Sequence, residues 1–398
     1  MQAVWITPAY PWRDEPVGGI FLQTQARALS KLELELTVCC PTPWSPWPLR
    51  RLRKRWRHYA DSPRRDLDEG VTVVRPRYPN VPGEPSRAMP DRFIARAAWD
   101  DRAAWSGSSI VHGHAVVTGL AGWRLARRAG LPFILTFHGS DMNTWPDEHP
   151  ERLDDLRSAA REAGAIIAVS AALAARVEEV TGVAAVHLPI GCDHAALAGR
   201  AMPRSEARWL LGIPEDRTVV LFVGNLLVSK GVRELVDAVL RLGDPFLGVL
   251  VGDGPEIGCG VDAARPAGHL DYRGARPHDE VARYISAADV LVLPSYREGL
   301  PTVLVEAGSL GLPVIASGVG GIPELLGSDR GAILREISSE AIVDALKSFV
   351  SHRSEADAAA HRLREHVLAC YDVHANAARL VEIYRSVRAS HAARRSGS

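Results

Sequence analysis

Short, continuous apolar runs alternate along the chain with stretches in which apolar residues recur every three or four positions. In the first half the runs predict strands at 3–6, 34–39, 71–74, 109–112, 132–136, 165–169 and 185–188. Helical periodicity falls between several of them, at 20–31, 116–129 and 171–180. After a break over Gly191–Pro203 the rhythm resumes, with strands at 218–223, 246–251, 289–293, 313–317 and 331–334. Helices are predicted there at 230–242, 277–287, 302–311 and 339–350. Strands that are apolar throughout belong to parallel sheets covered on both faces. Two such blocks in succession predict two doubly wound α/β domains, at 1–195 and 196–371. The tail from Glu355 to about Ala389 is helical in pattern and free of strands. The pattern alone leaves open whether it packs on the second domain or crosses back to the first. Ala393–Ser398 reads as a frayed end.

The length of 398 residues fits two cores better than one, and 46% hydrophobic residues suffice to fill both. Lys plus Arg and Asp plus Glu balance at 47 each, so no global field recruits nucleic acid. Five cysteines, none in a C-x-x-C pair, read as reduced residues of a cytoplasmic protein. The opening run Ala3–Ile6 predicts no cleaved signal peptide, and no segment approaches the roughly twenty apolar residues of a membrane span. One segment breaks the pattern: LRRLRKRWR at 49–57 spaces Leu49, Leu52 and Trp56 as on a short basic amphipathic helix. A solvated surface is the simpler reading. The sharper one is peripheral contact of Arg50–Arg57 with anionic lipid on the inner face of the membrane, or with a phosphate-bearing acceptor.

In doubly wound folds ligands sit at the carboxyl ends of strands. The run 290–293 is followed by Pro294-Ser295-Tyr296-Arg297-Glu298-Gly299-Leu300-Pro301-Thr302 and then by a helix. Gly299 permits close approach of backbone to a ligand, and the helix start at Thr302 is a seat for phosphate. Glu306 lies one turn on, on the face of Thr302. Glu298 and Glu306 thus bracket a phosphate-sized site and are placed to accept hydrogen bonds from hydroxyls. A nucleotide sugar fits that arrangement. The plainer reading, two unrelated surface carboxylates, is the weaker for a pair spaced in this way after a buried strand. The run 218–223 ends in Gly224-Asn225-Leu226-Leu227-Val228-Ser229-Lys230-Gly231, where Lys230 reaches a diphosphate beside a helix start. Gly252-Asp253-Gly254-Pro255 makes a third turn at the same sheet edge.

The first half offers weaker features. Gly18-Gly19 precedes a helix, though not as a G-x-G-x-x-G fingerprint. The run 132–136 ends in Phe137-His138-Gly139-Ser140-Asp141, with His138 a donor toward a sugar hydroxyl. His112 and His114, two apart on a strand, resemble a zinc pair without a third ligand, so no metal is assigned. Asp66-Leu67-Asp68 is a D-x-D run, read as solvated surface in a charged loop rather than as a metal site.

Taken together, VGNLLVSKG at 223–231, VGDGP at 251–255, AADVLVLPSYREGLPTVLVEAGSLGLPVIAS at 287–317 and GGIPELL at 320–326 resemble glycosyltransferase family 4, the group 1 class with the GT-B fold. VGGIF at 17–21, FHGSD at 137–141, AVSAALAARV at 168–177 and PIGCDHA at 189–195 agree more loosely. The resemblance spares only the stretch from about Trp44 to Ala104. It implies two Rossmann-like domains with the active site in the cleft between them, and final helices, about 372–398, that return to the first domain. It implies that Glu298 meets sugar hydroxyls, Glu306 the ribose, Lys230 the diphosphate, His138 the donor sugar and Gly19 the diphosphate. Gly18, Asn225, Gly299, Leu300, Pro301 and Thr302 complete the donor site, with base contacts around Arg273–Ala275. His114 and Asp141 are assigned to the acceptor side. Many members carry Arg where this chain has Asn225, which shifts diphosphate stabilisation toward Lys230 and the helix at 302.

The resemblance implies a retaining hexosyltransferase that moves a hexosyl or N-acetylhexosaminyl unit from a nucleotide sugar, commonly a UDP-sugar and next GDP-mannose. The acceptor is a small molecule, a polysaccharide or a lipid-linked glycan, as in polysaccharide or glycoconjugate biosynthesis. No metal or other cofactor is expected, because Lys230 and helix amides supply the leaving-group stabilisation. The rival enzyme reading is a GT-B nucleotide-sugar epimerase. A more remote one is a non-catalytic two-lobed sugar-binding protein.

Overall fold

A computed structural model describes residues 1–44, 54–80, 89–257 and 268–396. By contacts the chain divides into two units, Met1–Ile190 with Val373–Ser398, and Gly191–Asp372. The break comes slightly ahead of residue 195. The reason is that Cys192 N–H donates to the Tyr371 carbonyl at 2.9 Å, while His194 Nδ1 meets Ser309 Oγ at 2.9 Å, tying this stretch to the second unit.

The first unit holds an eight-stranded sheet in the order Val186–His187, Ala165–Ala168, Phe133–Phe137, Val111–His114, Gln2–Ile6, Glu35–Cys39, Val71–Val74, Arg65–Asp68. All neighbours pair in parallel except the last two, which are antiparallel. The D-x-D run is therefore not a solvated loop. It forms this edge strand, and Asp68 accepts hydrogen bonds from Tyr10 Oη at 2.8 Å, Gln23 at 3.0 Å and the Arg27 guanidinium at 2.6 Å. Asp66 alone of the two carboxylates is exposed. The helix Val373–Ser396 packs on Ile20–Ser30, with Leu380, Tyr384 and Val387 buried in the core of this unit. The predicted frayed end is helical through Ser396, and Arg395 donates to the Gly130 carbonyl at 3.1 Å, which anchors the last turn.

The second unit holds a six-stranded parallel sheet in the order Leu270–Gly274, Phe246–Val251, Thr218–Val223, Val290–Leu293, Val314–Ser317, Ala332–Leu334. The chain winds outward in one direction from Thr218–Val223 and then in the other from Val290–Leu293. These two strands meet where the order reverses, so the loops that leave their carboxyl ends diverge and open a crevice. The strand Leu270–Gly274 has no counterpart in the apolar pattern, because its sequence LDYRG is polar at an edge position.

Candidate functional site

The two loops at the switch point of the second unit are stitched together. Gly231 adopts φ 65°, and a Cβ there would stand 2.1 Å from the Pro294 carbonyl oxygen. Only glycine brings the end of the 224–231 loop onto the start of the 294–301 loop. Tyr296 N–H donates to the Ser229 carbonyl at 2.9 Å. On one flank Leu226 N–H donates to Asp253 at 2.9 Å; on the other Gly321 N–H donates to Gly299 at 2.6 Å. This lattice of main-chain bonds sets Lys230 beside Glu298, with Nζ to Oε1 at 2.6 Å. Glu298 is 8% exposed and Glu306 6%, which removes the reading of both as ordinary surface carboxylates.

Thr302 opens the helix Thr302–Ser309, after Pro301 at φ −72°. Leu304 N–H donates to the Pro301 carbonyl at 3.1 Å, which leaves the amides of Thr302 and Val303 as the first-turn donors with no carbonyl among the described residues to meet. Glu306, one turn in, is held by a residue that the sequence reading did not single out. His278 Nε2 lies 2.9 Å from Glu306 Oε1. Burial disfavours the imidazolium, but the hydrogen bond and charge of Glu306 outweigh it, so His278 titrates above the ordinary histidine range. Asn225 is exposed, and among the described residues its side chain makes no hydrogen bond. The Arg273 guanidinium is turned to the Leu211 carbonyl, at 2.7 Å, and to Asp271. What this edge offers a ligand is main chain.

In the first unit, Gly19 caps the helix Ile20–Ser30 at φ 81°, where a Cβ would stand 2.7 Å from the Ala9 carbonyl oxygen. Gly18 lies beside the Glu15 side chain. His138 ends the strand Phe133–Phe137, and its Nε2 lies 3.1 Å from His114 Nδ1. Burial pushes His138 down to about 3 and His114 well below the ordinary range, so both are neutral at physiological pH. Asp141 Oδ1 accepts from the amides of Gly139 at 2.8 Å and His138 at 3.2 Å, which fixes the turn that carries His138. His112 is a satisfied core residue. Its Nδ1 meets Tyr384 Oη at 2.6 Å and its Nε2 meets Thr136 Oγ1 at 2.6 Å. The imidazole pair thus serves packing and positioning, and among the described residues no third metal ligand joins it.

Two family models cover most of the chain. Residues 18–195 match Glycosyltransferase Family 4, and residues 203–366 match Glycosyl transferases group 1. A Bacillus subtilis protein provisionally named teichuronic acid biosynthesis glycosyltransferase TuaC is 34% identical over 391 residues, 97% of this chain and 99% of its own. The chain belongs to glycosyltransferase family 4. Among solved structures, sucrose-phosphate synthase from Thermosynechococcus elongatus superposes with a TM-score of 0.80 at 21% identity, covering 98% of this chain and all of its own. Anabaena HepE, crystallised with UDP-glucose, gives 0.71 at 17% identity, over 97% of this chain and 100% of that one. These likenesses show the GT-B fold of a family 4 transferase. The basic segment lies largely outside the described residues. Only its end, from Lys54, is seen as the start of the helix Lys54–Asp61. Among the described residues no helix is long and apolar enough to cross a membrane.

Proposed function

We propose that this family 4 transferase is a retaining, metal-independent hexosyltransferase that takes a hexosyl or N-acetylhexosaminyl unit from a nucleotide sugar, a UDP-sugar first among them. The observation that carries the reading is the switch-point arrangement of Lys230 and Glu298, 2.6 Å apart, beside the helix start at Thr302. Lys230 and the first-turn amides meet the diphosphate, Glu298 the sugar hydroxyls and Glu306 the ribose. Asn225, Gly299, Leu300, Pro301 and the main chain near Arg273 complete the donor side. Gly18, Gly19 and His138 belong to the first unit's share of donor recognition, and His114 and Asp141 shape the turn on the acceptor side.

The bond from the anomeric carbon to the diphosphate oxygen breaks as negative charge gathers on the leaving group. Donors fixed in advance stabilise that charge without reorganising, and in this chain one cation and a helix terminus supply them. The acceptor oxygen attacks from the face the diphosphate leaves, and its proton passes to a diphosphate oxygen. The anomeric configuration is thereby kept. The free cysteines among the described residues accord with a cytoplasmic enzyme, and the 49–57 segment with peripheral contact at the inner face of a membrane.

The test is a thermal-shift screen of UDP-, GDP- and ADP-sugars, followed by transfer with the donor that stabilises the protein, since binding to the folded state raises its melting temperature. A UDP-sugar is expected to give the largest shift, and the product anomer to match the donor. An inverted product overturns retention. Activity abolished by chelator and restored by manganese overturns metal independence. An epimerised sugar formed from donor alone replaces the transferase reading with that of an epimerase.

A further inference from the structure

We propose that His114 is a positioning residue that fixes the proton of His138, so that His138 presents its remaining ring nitrogen, Nδ1, as a hydrogen-bond donor. The two rings are nearly parallel, at 13°, and the contact between them joins His114 Nδ1 to His138 Nε2 at 3.1 Å. One proton lies in that contact, and it belongs to one ring or the other.

The surroundings of His114 decide which. Its side chain is fully buried, stacked on His112 with ring centroids 4.2 Å apart and tilted against Trp5 at 4.3 Å. Its Nε2 is buried and has no hydrogen-bond partner among the described residues. If His138 donated from Nε2, a neutral His114 would have to carry its own proton on that Nε2, and a buried N–H would be stranded. If His114 donates from Nδ1, only a lone pair is left unmet, and orphaned N–H groups are the rarer and costlier case. Doubly protonated His114 is excluded by burial and by the neighbouring imidazoles His112 and His138, which hold it neutral.

The neighbouring frame offers no alternative source of the proton. Trp5 Nε1 donates to Tyr384 Oη at 2.7 Å, and the buried Tyr384 hydroxyl, which has no other acceptor among the described residues, donates its own proton to His112 Nδ1. His112 then carries its proton on Nε2 and donates it to Thr136 Oγ1. It has none to share with His114. With His138 Nε2 accepting, the proton of neutral His138 sits on Nδ1, where no described residue meets it. Free neutral histidine favours the opposite tautomer, so a proton on Nδ1 is the mark of one imposed by its surroundings. A donor at that nitrogen suits a sugar hydroxyl oxygen or growing negative charge, and it bars His138 from acting there as a base. That last consequence rests on the reading of His138 given above; the tautomer does not.

The experiment is a long-range proton–nitrogen correlation spectrum of the whole protein with 15N-labelled histidine at neutral pH. The His138 signal is assigned by its loss in His138→Gln. The expected pattern for wild type is the Nδ1–H tautomer; an Nε2–H or imidazolium pattern overturns the inference. In His114→Asn an amide nitrogen takes the place of Nδ1, so His138 should keep its tautomer, whereas in His114→Leu it should revert to Nε2–H. The kcat of His114→Leu should fall below that of His114→Asn by about tenfold, the scale of one hydrogen bond. If His138 stays Nδ1–H in His114→Leu, His114 is not the source of the constraint. If the tautomer is as expected but His138→Gln transfers sugar at the wild-type rate, the tautomer stands and the role of His138 in transfer falls.

Discussion

Lys230 Nζ and Glu298 Oε1 lie 2.6 Å apart, although the residues are 68 positions apart in sequence and sit on different loops. The cation proposed to hold the diphosphate is thus oriented by the carboxylate proposed to hold the sugar. On that proposal, removing Lys230 deletes a charge-assisted contact to the leaving group. We expect Lys230→Ala to lower kcat on the order of 10²-fold, as for loss of one preorganised oxyanion contact. Steady-state transfer assays check this, and undiminished turnover removes Lys230 from the diphosphate site.

In the proposed site Glu298 competes with a diphosphate for the same ammonium group. In Glu298→Gln that competition weakens while the sugar loses its carboxylate acceptor. Calorimetry should therefore show the nucleoside diphosphate binding as well as or better than to wild type, with the sugar nucleotide bound less tightly. A parallel loss for both ligands would mean that Glu298 serves only to hold the loop.

His278 gives a pH-dependent contribution to stability whose sign is fixed. Burial opposes the charged form, as does Arg200, but the hydrogen bond and charge of Glu306, with Asp279, outweigh them and its folded pKa is raised. The contribution is complete below the unfolded value of about 6.5 and disappears as pH rises through the raised folded value. The melting-temperature gap between wild type and His278→Ala should thus be widest at mildly acid pH and narrow as the solution turns alkaline. A gap that widens with pH refutes the pairing.

Gly231→Ala forces a Cβ into the Pro294 carbonyl at a positive φ. Strain of this kind costs on the order of 1–3 kcal/mol before the clash is counted. For a unit of this size each 1 kcal/mol corresponds to about 2–4 °C. We expect a fall of several degrees in the melting temperature of the second unit, with donor binding lost alongside, read by calorimetry.

Tyr384→Phe removes the hydroxyl that links Trp5 Nε1 to His112 Nδ1. Two buried polar groups lose a partner, at about 1–3 kcal/mol for each such group. Chemical denaturation should show the first unit destabilised; an unchanged midpoint would mean that water or a shifted side chain replaces the hydroxyl.

The strand–helix alternation and the loop Glu298–Glu306 were legible because the signal is local: an apolar run, a Gly-Leu-Pro turn and a helix start follow one another in a dozen residues. Lys230 was legible for the same reason. His278 was not, since it reaches Glu306 from another helix, 28 residues upstream, and nothing in PHDEV marks a partner. Asp68 read as solvated because its neighbours in sequence are charged, whereas its partners Tyr10, Gln23 and Arg27 come from far earlier in the chain. His112 resembled a metal ligand because the hydroxyl that satisfies it comes from Tyr384, 272 positions away.

That distance bears on the order in which the protein is made. The second unit, Gly191–Asp372, is a continuous stretch, whereas the first is completed only by the helix that follows it. Emerging from the ribosome, the first 190 residues wait with Trp5 and His112 uncovered until the whole second unit has been synthesised. Domains fold as units during synthesis. Here the half of the chain made first becomes whole last.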